Sequence, residues 1–100
     1  MVKHAVMFKL VPFGSESEKQ AKLEELKRHM LSFKERIPNV LYVNVGFNAN
    51  PAEEWDLILE CGFETMEDLK NYIVHPVHVE FGQQVMKPVK AGRACVDYVV

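Results

Sequence analysis

Cysteine is scarce in this chain. Cys61 and Cys95 are the only two, and neither belongs to a CxxC or metal-spaced pair. That excludes a disulfide framework and a cysteine-built zinc site, and it fits reduced thiols in a cytoplasmic protein. Concentrated positive charge is also missing. Twelve Lys and Arg are offset by fourteen Asp and Glu for a net charge of −2, and no basic run reaches five residues. Nucleic-acid binding, which needs a dense cationic face to neutralise phosphates, is disfavoured. No apolar run approaches the roughly 18 residues of a membrane span. Met1-Val2-Lys3-His4 turns polar before the apolar stretch of a signal peptide could form. The five glycines make no GxGxxG, P-loop or GxSxG, so a tightly held nucleotide cofactor is not expected. The remainder is ordinary globular composition, 48% hydrophobic and 26% charged. One hundred residues make one domain, 1–100, small enough to gain from pairing with a copy of itself.

Hydrophobic periodicity divides the chain into alternating elements. Val2 to Val11 alternates with period 2, placing Val2, His4, Val6, Phe8 and Leu10 on one face of a strand. Ser15 to Arg36 reads as one helix. Ser15 and Glu18 form a capping-box pattern, and Leu23, Leu26, Met30, Phe33 and Ile37 form an apolar stripe. Val40–Asn48 and Trp55–Phe63 read as strands. Thr65 with Asp68 opens a second helix, Pro76 interrupts it, and a further helical piece runs from about Val77 to Met86. Arg93 to Val100 closes the chain as a strand. The order βαββαβ predicts an α+β ferredoxin-like sandwich, a four-stranded sheet with helices on one face. Ala5, Met7, Val11, Cys95 and Val99 are assigned to the other face, which is too apolar for a solvated surface. The expectation is a homodimer that closes two such sheets into a barrel-like core, a dimeric α+β barrel.

Chemistry concentrates in Tyr72-Ile73-Val74-His75-Pro76-Val77-His78. A helix that ends before Pro76 leaves His75 at its negative pole, which favours imidazolium. Pro76 as the first residue of the next helix puts His78 in its first turn, which favours a neutral base. His4, on the helix-facing side of the first strand, can approach this run across the core. Two readings stand for Tyr72: a hydrogen-bond donor to a carbonyl or enolate oxygen, or a packed core tyrosine. His4 is either a ligand-orienting group or a satisfied core histidine. His75 could also cap helix carbonyls, and His29, beside Lys27 and Arg28, reads as solvated. Three histidines could in principle ligate zinc, but no carboxylate or cysteine lies beside them in sequence, so no metal is expected.

Val2-Lys3-His4 with Phe8-Lys9, Ile37-Pro38, the Tyr-x-x-His-Pro-x-His run and Val96-Asp97-Tyr98 together resemble the stress-responsive A/B-barrel (Dabb) domain family over essentially all 100 residues. The resemblance implies a dimeric barrel. By analogy with a plant polyketide cyclase of the family, it also implies aldol chemistry without metal or organic cofactor. Tyr72 and His78 would then be the acid/base pair, and His4 and His75 would be substrate contacts. The partners implied are a second copy and a small hydrophobic, carbonyl-bearing ligand. Two rivals stand beside that reading: a non-catalytic, stress-associated structural oligomer, and a cofactor-free monooxygenase on the same architecture.

Overall fold

The computed structural model describes residues 1–100. β1 (Val2–Leu10) is followed by α1 (Glu16–Leu31) and a short α2 (Phe33–Arg36). The hairpin β2 (Tyr42–Phe47) and β3 (Leu57–Phe63) leads to α3 (Met66–Val74) and α4 (Pro76–Glu80). A π-helical turn, Phe81–Met86, runs on into β4 (Lys90–Val99). The strands form one sheet in the order β2-β3-β1-β4, with every neighbouring pair antiparallel. The predicted βαββαβ order and the ferredoxin-like architecture are both present.

The caps are those written in the sequence. The Ser15 hydroxyl accepts from Glu18 N–H at 3.1 Å, and the Glu18 carboxylate accepts from Gly14 N–H at 3.2 Å. Thr65 accepts from Asp68 N–H at 3.1 Å. Such caps are each worth about 1 kcal/mol. The helix expected over 15–36 is broken at Ser32. Its hydroxyl donates back to the His29 carbonyl at 2.6 Å, and this local bonding bends helices. The apolar stripe survives the break, because Leu23, Leu26, Met30, Phe33 and Ile37 are all buried. His29 is not solvated as expected. It is half-buried, with its ring centroid 5.7 Å from that of Phe81.

Cross-strand partners share a face of the sheet. His4 pairs with Cys61 and Asp97, and Val6 with Leu59 and Cys95. These residues face the helices. The outer face therefore carries Ala5 and Met7, as expected, together with Ile58, Ala94, Val96 and Tyr98. Cys95 and Val99, assigned to that outer face from alternation, lie on the inner one. The inward set of β4, Arg93, Cys95, Asp97 and Val99, is the more polar of its two alternating sets, so hydrophobicity pointed to the wrong side; the pairing register decided it. β1 separates Cys61 from Cys95 by two strand spacings, about 10 Å, beyond disulfide reach.

Two contacts tighten the frame. The Asp56 carboxylate accepts from Leu10 N–H at 2.7 Å and pairs with Lys19 at 2.8 Å, tying the β2–β3 hairpin to β1 and α1. On the outer face the Tyr42 ring lies over Gly62, and its hydroxyl donates to Glu60 at 2.9 Å. A Cβ at residue 62 would collide with that ring at Cδ1 and Cε1. Gly62→Ala should therefore cost about 1–3 kcal/mol, read as a lowered urea midpoint. An unchanged midpoint would mean the ring moves away freely.

Candidate functional site

The Tyr72–His78 run folds as it does because Pro76 has no N–H to give. α3 loses its next rung, and His75 N–H turns back to the Tyr72 carbonyl at 3.2 Å. Val77 N–H, which a continuous helix would spend on the Ile73 carbonyl, is taken instead by His75 Nδ1 at 3.1 Å. The Ile73 carbonyl is thereby left open, and His78 Nδ1 lies 3.0 Å from it. A carbonyl only accepts, so Nδ1 carries the proton and Nε2 keeps the lone pair.

This bonding revises two expectations. His75 accepts through Nδ1, so it is the neutral N-cap of α4 rather than an imidazolium at the end of α3. His75 also lines none of the cavities, so it is not placed as a substrate contact. His78 is held below the ordinary histidine range, in the direction expected. Burial is the chief cause, with the charges of His4 and Arg93 adding to it and the Ile73 bond opposing.

His4 arrives from β1. Its side chain is 3% exposed and its Nδ1 lies 2.5 Å from Asp97 Oδ1 on β4. Nδ1–H donates to the carboxylate, which leaves Nε2 as the ring nitrogen not bonded to protein. Tyr72 is fully buried and gathers both imidazoles, its ring 4.6 Å from His78 and 5.9 Å from His4, centroid to centroid. Its hydroxyl is paired with the Cys61 thiol at 3.8 Å, its one protein hydrogen-bond partner. Burial keeps that phenol far above the usual tyrosine range and pushes the Cys61 thiol up to about 11.

Between the sheet and the π-helical turn lies a cavity of ≈ 150 Å³ that touches both His4 and His78. Val6, Phe8, Phe33, Leu59, Phe81 and Met86 make its apolar walls. Tyr72 sits one layer behind them. Two larger hollows, ≈ 320 and ≈ 360 Å³, lie on the outer sheet face beside Trp55 and between α1 and the β2–β3 loop. Neither contains a histidine, and a third of ≈ 180 Å³ takes His29 but neither His4 nor His78, so the smallest cavity is the one that joins the two imidazoles.

Asp97 escaped the sequence reading as a site residue. The signal was present: a carboxylate between Cys95 and Val99 in an otherwise apolar strand alternation. His4, Cys95 and Asp97 also form the one group whose donor atoms converge, all within 4.8 Å. Two ligands on one tetrahedral zinc would stand about 3.3 Å apart. The 2.5 Å between His4 and Asp97 is instead a hydrogen-bond length, so the trio as arranged is a hydrogen-bonded pair beside a thiol. Burial, with Asp97 beside it, also raises the Cys95 pKa, which disfavours the thiolate a metal would require.

Comparison with known proteins follows the same lines. The sequence is 32% identical over 84 residues to olivetolic acid cyclase of Cannabis sativa, covering 81% of this chain and 79% of that one. A solved dimeric protein of unknown function from Bacteroides fragilis, with a ferredoxin-like fold, superposes with a TM-score of 0.89 at 35% identity, covering 99% of this chain and 95% of that one. The hydroxynitrile lyase of Passiflora edulis shares the fold, with a TM-score of 0.81 at 16% identity over 99% and 90% of the two chains. The model of the Stress responsive A/B Barrel Domain matches residues 2–100. The chain belongs to this Dabb family.

Proposed function

We propose that the protein is a homodimer whose small apolar pocket performs cofactor-independent acid/base chemistry on a carbonyl-bearing ligand. The observation that carries this reading is the commitment of His78 Nδ1–H to the Ile73 carbonyl, which leaves Nε2 unprotonated at the cavity. A neutral, partly desolvated imidazole is the group needed to remove a proton alpha to a carbonyl. The carbonyl oxygen enters between the two imidazoles; to take the Tyr72 O–H as its charge develops it must reach the layer behind the cavity wall and displace the Cys61 contact. His4, fixed by Asp97, orients the ligand or a water through Nε2. The cyclase relative supports carbon–carbon chemistry of the aldol type, which begins with this proton removal.

The reading is tested by deuterium incorporation at the α-carbon of small ketones and β-keto thioesters in D2O, followed by NMR. Catalysed exchange above that of free imidazole is expected for at least one of them. Tyr72→Phe should slow it about 10²–10³-fold, as loss of one oxyanion donor does, while stability changes by only about 1 kcal/mol. Equal rates in Tyr72→Phe and wild type would remove the tyrosine from the mechanism.

One observation favours a second reading, a structural module without turnover. The cavity of ≈ 150 Å³ falls below the roughly 300–1,000 Å³ of drug-sized ligand sites, and the Tyr72 hydroxyl is already engaged with Cys61. Under that reading no ketone exchanges faster than with imidazole.

For self-association the outer sheet face is the surface. Ile58, Val96 and Tyr98 are 39, 63 and 40% exposed there, flanking Ala5 and Met7. An apolar patch of that kind is normally covered.

A further inference from the structure

The cavity has an asymmetry that the acid/base reading leaves unused. Besides His4 and His78 it is lined by Lys90 and Arg93, both from β4, and no carboxylate lines it. In a regular strand two residues three apart point to opposite faces. Here they meet because the β1–β4 register slips between Lys9 and Leu10: Lys9 pairs with Gly92, Leu10 with Lys90, and Ala91 is passed over. That bulge turns Lys90 to the side of buried Leu10, while Arg93 faces inward opposite Phe8. Bulges of this kind commonly re-aim a side chain beside a site. Neither cation forms an ion pair, although Lys19 and Lys22 on α1 each do. The titratable groups that feel Arg93 are the Cys95 thiol, His78 and the Tyr72 phenol, none of them a carboxylate, and Asp97 on the same strand is engaged by His4.

We propose that the pocket takes its ligand as an anion: a small apolar body whose carboxylate rests between Arg93 and Lys90 at the open end. This rests on the ligand-pocket reading above and names the substrate class for it. A cavity of ≈ 150 Å³ walled by Phe, Leu, Val and Met suits a body about the size of benzene. Two converging unpaired cations suit an oxyanion through charge-assisted bonds. Both cations remain solvent-exposed, so the head group keeps part of its hydration and its desolvation cost stays low. The ligand would then lie with its anionic end at the cations and its reacting carbon toward His78.

The test is an amide-resolved NMR titration of the protein with benzoate, with benzamide as a neutral isostere and phenyl phosphate as a second oxyanion. Benzoate should bind at least tenfold more tightly than benzamide. The double variant Lys90→Gln/Arg93→Gln should bring benzoate down to the benzamide level while benzamide binding is unchanged, which shows the cavity intact. Equal affinity of benzoate and benzamide for the native protein would overturn the anion subsite and leave the ligand pocket standing. So would benzoate affinity indifferent to the double variant. Tighter binding of phenyl phosphate than of benzoate would assign the cations to a phosphate and overturn the carboxylate. Binding of none of the three would overturn the pocket reading as well.

Discussion

His78→Ala should lose α-proton exchange by about 10²–10⁴-fold, the range contributed by a positioned general base, with the fold retained. The side chain is half-buried and gives one hydrogen bond, to Ile73. Its removal should cost only about 0.5–1.5 kcal/mol for that bond. Added imidazole should restore part of the lost rate in the variant, because the truncation leaves room beside the cavity. A purely structural histidine would show neither the loss nor the rescue. The pH dependence follows from the lowered pKa of the native imidazole relative to an ordinary value of 6.5. The unfolded chain binds the His78 proton first as pH falls. The stability due to neutral His78 is therefore fully present above about 6.5. It declines as pH drops from there to the lower native value and levels off below it. His78→Ala should flatten that part of the curve in denaturant titrations run at successive pH values. A stability that rose on acidification through this window would contradict the assignment.

Val96→Glu should convert the dimer to a monomer at micromolar concentration. Val96 sits on the outer sheet face at 63% exposure, so the monomer's own core loses nothing and its circular dichroism should be unchanged. Across a two-fold interface each protomer would bury an unpaired carboxylate, a penalty of about 2–5 kcal/mol. Two such carboxylates per dimer come to about 4–10 kcal/mol, roughly 10³- to 10⁷-fold in dissociation constant. Sedimentation velocity reads the outcome directly. A variant that remains dimeric would place the interface away from this face. The hollow of ≈ 320 Å³ on the same face, between Met7, Phe47, Trp55 and Ile58, is where a partner's side chains would seat.

The element order was legible because each segment keeps its own period: two in β1 and β3, and about 3.6 through Leu23, Leu26, Met30 and Phe33. What the period could not reveal was set by contacts between elements. Ser32 breaks its helix through a single hydroxyl-to-carbonyl bond. β4 turns its more polar alternating set inward, against the usual rule, and only its register with β1 decides that Cys95, Asp97 and Val99 face the helices. The opposed settings of His75 and His78 around Pro76 were half readable. The neutrality of His78 was expected from the helix pole, whereas burial is its main cause. The state of His75 was misread, because the Val77 N–H that it accepts outweighs the pole of α3. His4 was placed correctly on a layer facing Tyr72. A lone carboxylate in the β4 alternation marked Asp97, but its pairing with His4, 93 residues away in sequence, has no local signature. Lys90 could not have been assigned to the cavity from alternation at all, because a bulge reverses its parity.

The protonation state of His78 tests the central claim most directly, in a long-range proton–nitrogen NMR spectrum of the histidine rings recorded from pH 8 to 5. The expected result at neutral pH is Nδ1 protonated and Nε2 bare for His78, with both nitrogens converging to imidazolium only at a midpoint below 6.5. An Nε2–H tautomer, or a midpoint above 6.5, would leave no base at the cavity and would contradict the acid/base function.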